Sequence, residues 1–62
     1  MSNIERGEIR EKTESGYVVA SLDREGIETQ PIKALEDKEY TVGERVYFFC
    51  FQDGTGKIIS NI

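Results

Sequence analysis

Short apolar runs alternate along this chain with breaks rich in glycine and charge, and none of the runs keeps the 3.6-residue period of an amphipathic helix long enough to form one. The pattern predicts strands. The first covers residues 4–12, with Gly7, Ile9 and Glu11 on one side and Arg6, Glu8, Arg10 and Lys12 on the other, so its outer side is charged. Glu14, Ser15 and Gly16 then supply a short turn, with a glycine available for a positive φ. The second strand, residues 17–22, is apolar at Val18, Ala20 and Leu22 and again at Tyr17 and Val19. Apolar residues on both sides suit a central strand covered on both faces, hairpin-paired with the first.

Residues 23–26 form the next turn and residues 27–35 the third strand. Pro31 removes a backbone donor in its middle, which implies an edge position, a bulge or a bend, and barrels commonly close through such a bend. Residues 35–42 are too few and too weakly patterned for an amphipathic helix and are read as a loop. The strongest strand follows at residues 45–51, then a glycine-rich hairpin turn at 52–56 and a closing strand at 57–62. The whole is one all-β domain over residues 1–62, a small five-stranded antiparallel barrel of the OB-like or SH3-like kind.

The strand at 45–51 is apolar on both sides: Val46, Phe48 and Cys50 point one way, and Tyr47, Phe49 and Phe51 the other. One set fills the barrel. The other is either covered by the 35–42 loop or a terminus, or exposed as an aromatic face. An exposed face of this kind anchors a protein partner or stacks single-stranded bases. The candidate interaction surface is therefore Tyr17, Tyr47, Phe49 and Phe51.

Composition narrows the choice. A chain of 62 residues buries only about 60% of the surface that its unfolded form exposes, and small folds offset this with disulfides, metals or partner chains. The single Cys50 forms no internal disulfide, and the absence of histidine weakens any zinc site, which leaves association with another chain. Cys50, set among aromatics, reads as a buried thiol of a reducing compartment. The net charge of -4, with both signs mixed along the chain, is unfavourable for phosphate binding unless one face is locally basic.

Catalytic chemistry finds little purchase. Ser15, Ser21 and Ser60 have no histidine to activate them, and a barrel this small has little room for an enclosed pocket of about 300 Å3. The run from Asp53 to Lys57 lacks the spacing of a phosphate loop, and Glu36, Asp37 and Glu39 lack the order of a calcium loop. No catalytic residue, cofactor or metal is expected. No stretch reaches the roughly 18 apolar residues of a membrane span, the start lacks the basic and apolar segments of a secretory signal, and the expected location is the cytoplasm.

Val42-Gly-Glu-Arg-Val46 and Gly56-Lys-Ile-Ile59 fit a strand entry and a closing strand that resemble those of the compact OB-like barrels in contractile-phage baseplate and tail proteins. That resemblance spans most of the chain and implies structural assembly without catalysis. The strand entry is also similar to that of S1-type RNA-binding barrels, but the basic and aromatic RNA-facing surface of that family is missing here. The expected function is a non-enzymatic protein-interaction or structural assembly module, of phage or prophage derivation, whose partner is another protein or a second copy. The alternative is an OB-type binder of single-stranded nucleic acid using Tyr17, Tyr47 and Phe49.

Overall fold

A computed structural model describes residues 4–36, 38–53 and 55–62 of the chain. Glu14 and Ser15 make a two-residue turn that joins β1 (Ile4–Thr13) to β2 (Gly16–Ser21) as an antiparallel hairpin. The Thr13 hydroxyl fixes the turn, donating to the Gly16 carbonyl (3.0 Å) and accepting from the Ser15 amide (3.1 Å). Gly16 holds a φ of 142°, and a Cβ there would strike the carbonyl oxygen of Ile32, so the position needs glycine on two counts.

The register of the hairpin slips within β1. Ile9 faces Val19 but Glu11 faces Val18, which leaves Arg10 as the extra residue of a β-bulge. One extra residue reverses the alternation beyond it. Glu11 therefore does not share the inner side with Ile9 as the simple pattern implied; Lys12 takes the inner register opposite Tyr17 instead, its ammonium 6.0 Å from the Tyr17 ring centroid.

Three further strands complete the sheet: β3 (Lys33–Ala34), β4 (Arg45–Cys50) and β5 (Gly56–Asn61), in the order β2-β1-β4-β5-β3. No described residue is helical, and residues 35–43 are irregular, as expected of a loop, with Asp37 outside the described residues. The Gly54 of the expected hairpin turn is likewise outside them. Around that position, the Phe51 amide donates to the Thr55 carbonyl (2.7 Å), and the Asp53 carboxylate accepts from the amide and hydroxyl of Thr55.

The sheet curls into a barrel-like form because the chain after β2 returns along that strand's free edge. Tyr17 and Ile32 exchange backbone bonds of 2.7 and 2.9 Å, Thr29 donates to Val19 and Ser21 to Ile27, both at 2.9 Å. Pro31, which has no N–H to offer, sits at a bend, and beyond it β3 joins the edge of β5. Only two residues of the expected strand at 27–35 are regular.

β3 and β5 run parallel, which corrects the expectation of an antiparallel sheet throughout. The reason is topological. An odd number of strands brought round into a ring cannot alternate in direction at every step, so one neighbouring pair must be parallel. β2 stands at the end of the named sheet order, but its outer edge is bonded to residues 27–32 and most of its residues are buried on both sides, as expected of a strand with neighbours on either edge.

The core comprises Ile9, Tyr17, Val19, Ile32, Tyr40, Val46, Phe48 and Ile58. Gly7 lies against it so closely that a Cβ would come within 2.5 Å of Val19 Cγ1 and 2.6 Å of Phe48 Cε1. The loop after β3 carries Tyr40 into the interior, where its ring meets Tyr17 edge to face at 5.7 Å and its amide donates to the Tyr17 hydroxyl (3.1 Å). Burial raises the Tyr40 phenol above its ordinary pKa.

Tyr17 is therefore a core residue, only 7% exposed, and does not belong to an outer interaction surface. Its register opposite Lys12, on the inner side of the bulged hairpin, turns it inward. Tyr17→Phe keeps the ring but strands the buried Tyr40 amide, so we expect a loss of about 1–3 kcal/mol in urea unfolding. A change below about 0.5 kcal/mol would show that water replaces the hydroxyl.

Candidate interaction surface

β4 alternates cleanly. Val46 and Phe48 are fully buried, whereas Tyr47 is 38% exposed, Phe51, just beyond the strand, is 54% exposed, and Phe49 is half-buried between them. Phe49 and Phe51 meet edge to face, with centroids 5.5 Å apart and planes at 62°. The core is filled from the other side of the strand, without these three rings. The 35–42 loop does not cover them: it is drawn toward the opposite side of β4 by Tyr40, leaving Leu35 and Val42 exposed as well.

The strand pairings place the neighbours of each ring. Phe49 lies between Ile4 of β1 and Lys57 of β5, and Lys57 is in turn paired with Lys33 of β3. Tyr47 lies between Arg6 and Ser60. A second register shift, where Tyr47 faces Ser60 but Phe48 faces Ile58, leaves Ile59 as a bulge. Ile4 and Leu22, both exposed, extend the apolar character of this side beyond the aromatics.

One flank of the face is stapled by two ion pairs. The Arg6 guanidinium reaches Asp23 at 2.7 and 3.2 Å, and the Arg6 amide donates to the other carboxylate oxygen at 3.0 Å. These bonds hold the Asp23 carboxyl below its ordinary pKa. Arg24 likewise grips Glu5 at 2.7 and 3.1 Å, and Glu5 accepts from the Ser21 hydroxyl at 2.8 Å. Ser21 accepts in turn from the amides of Asp23 and Arg24. The loop after β2 is thereby fixed against the start of β1, with Glu25 and Glu28 exposed and in no described ion pair.

The other flank carries Lys33 and Lys57, register partners across the parallel ladder and both exposed. Neighbouring residues of a ladder project to the same side, and neither lysine is in a described ion pair. They line an open cleft of about 610 Å3 with Gln30, Pro31, Asp53 and Thr55. The Asp53 carboxyl is held below its ordinary pKa first by the side-chain bond from Thr55 and then by that residue's amide.

Cys50 is half-buried rather than buried, at the rim of a hollow shared with Glu5, Arg24 and Phe51. Among the described residues no group of three or more histidine, cysteine or acidic side chains is placed to hold a metal, and no helix is long and apolar enough to cross a membrane. Ile4, Lys33 and Lys57 join the surface without having been candidates. The proximity of Lys33 to Lys57 depends on a parallel pairing that has no local signal in sequence. No protein-family profile, curated protein or solved structure matches this chain.

Proposed function

We propose that this chain is a non-enzymatic module that acts by protein association through Tyr47, Phe49 and Phe51. The observation that carries the reading is the aromatic stripe left at the surface while Val46 and Phe48 of the same strand complete the core. Aromatic side chains are the commonest anchors of protein interfaces. Burying one such ring against a partner contributes about 1.5–3 kcal/mol, which is substantial beside the roughly 3–5 kcal/mol that a core of this size supplies.

The barrel is of the OB kind on this reading. β4 lies beside β1, and β1, β2 and the segment leading into β3 are successive neighbours, which is the Greek-key order; β5 then fits between β4 and β3. The parallel β3–β5 pair favours this arrangement over an SH3-like one. A cytoplasmic structural component of phage or prophage derivation is the setting that accords with an assembly role.

Single-stranded nucleic acid is the second reading, and Lys33 and Lys57 beside Phe49 are the observation in its favour. It is the weaker of the two. Tyr17 is in the core, and the net charge of -4, with Glu25 and Glu28 exposed and in no described ion pair, disfavours a run of phosphates. Titration of labelled single-stranded oligonucleotides at low salt is expected to show no saturable binding. Saturable, salt-sensitive binding that Tyr47→Ala abolishes would overturn the association reading.

A further inference from the structure

Closing the barrel sets two like charges side by side. Lys33 and Lys57 are register partners across the parallel β3–β5 ladder, so their stems leave the sheet on the same side, from strands about 4.8 Å apart. Adjacent like charges on a ladder disfavour each other. Nothing described offsets these two: both lysines are exposed, and neither is in an ion pair. Both line the open cleft of about 610 Å3. Its walls are anchored from behind, the segment around Pro31 by the two bonds between Ile32 and Tyr17, and the turn before β5 by the bond from the Phe51 amide to the Thr55 carbonyl.

We infer that this cleft binds a small phosphate monoester through its doubly charged terminal group. Ser15 and Gln30 line the same cleft, and the hydroxyl of one and the side-chain amide of the other are in no described hydrogen bond, so both are free to donate. Two ammonium groups and two neutral donors match a terminal phosphate, which brings a charge of about -1.5 to -2 and three acceptor oxygens. A single carboxylate would bring one charge to two lysines. Asp53 is the one carboxylate of the lining, and its Oδ1 is already taken by the amide and hydroxyl of Thr55 at 3.0 and 2.7 Å. The lysines therefore remain in excess.

The charge pattern also sets the size of the ligand. Lys33 borders a second hollow, but there Lys12 and Lys38 are matched by Glu14 and Glu36, and Lys12 is paired with Glu39. The positive excess is confined to the one lysine pair, on a chain whose net charge is -4. A phosphodiester polymer needs a run of cations along its length. A compact dianion needs only this pair. The donors do not include Tyr47, Phe49 or Phe51, so the site goes beyond the association reading and stands or falls apart from it.

Nuclear magnetic resonance of the full chain, titrated with ethyl phosphate near neutral pH at constant ionic strength, tests this. Saturable shifts are expected at the amides of Ser15, Lys33 and Lys57 and at the side-chain amide of Gln30. Lys33→Gln and Lys57→Gln should each weaken binding by about three- to fivefold, and the two together should remove saturation. Tyr47→Ser with Phe49→Thr should leave it in place. On the wild type, affinity should fall by up to about tenfold near pH 5, where the monoester takes up its second proton. The chain has no histidine and its lysines keep their charge throughout, so this loss reads the charge of the ligand. Shifts that rise linearly and match those of added chloride overturn the site, as does saturation that survives both lysine substitutions or an affinity that is the same at the two pH values. Succinate bound as tightly as ethyl phosphate overturns the phosphate assignment. A single-stranded oligonucleotide without terminal phosphates that binds the same residues more tightly overturns the compact ligand in favour of the nucleic-acid reading.

Discussion

Phe48→Ala is expected to leave the chain largely unfolded at room temperature. Phe48 is the largest of the fully buried side chains, and Gly7 approaches it closely, with no side chain of its own to fill the space left by a truncation. Truncation of a buried phenylalanine costs about 3–5 kcal/mol, which equals the roughly 3–5 kcal/mol of a core this small. Urea titration followed by far-ultraviolet circular dichroism should therefore show no cooperative transition. The neighbouring Tyr47→Ser should retain one, because that ring is on the other side of the strand. A Phe48→Ala transition with a midpoint near that of wild type would mean that the barrel interior is not where the stability resides.

Gly16→Ala is expected to open the barrel at its seam. A side chain at φ 142° is strained, and the new Cβ would press on the Ile32 carbonyl, the group that accepts the Tyr17 amide and helps join β2 to the chain leading into β3. Backbone strain of this kind costs about 1–3 kcal/mol, and separating the Tyr17–Ile32 bonds adds to it. We expect unfolding free energy to fall by at least about 2 kcal/mol, with amide exchange at Tyr17 and Ile32 accelerated ahead of exchange at Phe48. Gly26→Ala, also at positive φ but with open space around it, should cost less. Equal losses at the two positions would show that the seam contributes nothing beyond backbone strain.

Four of the five strands were legible because alternation is a local property: the runs around Ile9, Val19, Phe48 and Ile58 each carry their own signal. The third was legible in part: the bend at Pro31 and closure through it were expected and are found, but only Lys33 and Ala34 of residues 27–35 are in a regular strand. The bulges at Arg10 and Ile59 escaped. Each is defined by the partner strand, and nothing within residues 4–13 or 56–61 marks where the register slips. Glu11 was consequently assigned to the wrong side.

The split of residues 46–51 into two apolar faces was readable, but which way Tyr17 turns was not. An aromatic residue that follows a turn glycine fits either face, and it is the Tyr40 amide, far away in sequence, that satisfies its hydroxyl inside. The Lys33–Lys57 pair was invisible for the most general reason. Parallel partners are joined by long connections, so their adjacency emerges only when the topology is complete.

The central claim is that the outer face of β4 meets another protein, and photo-crosslinking from that face tests it most directly. Benzoylphenylalanine in place of Tyr47 keeps an aromatic ring at the same exposed position, and the same group in place of Val42, also exposed but on the loop after β3, serves as the control. On irradiation of intact cells, position 47 is expected to give discrete adducts that protease removes and nuclease does not, whether with a second copy or with a different protein, while position 42 gives none. Adducts from position 47 that are confined to nucleic acid, or equal yields of protein adducts from the two positions, would contradict the account.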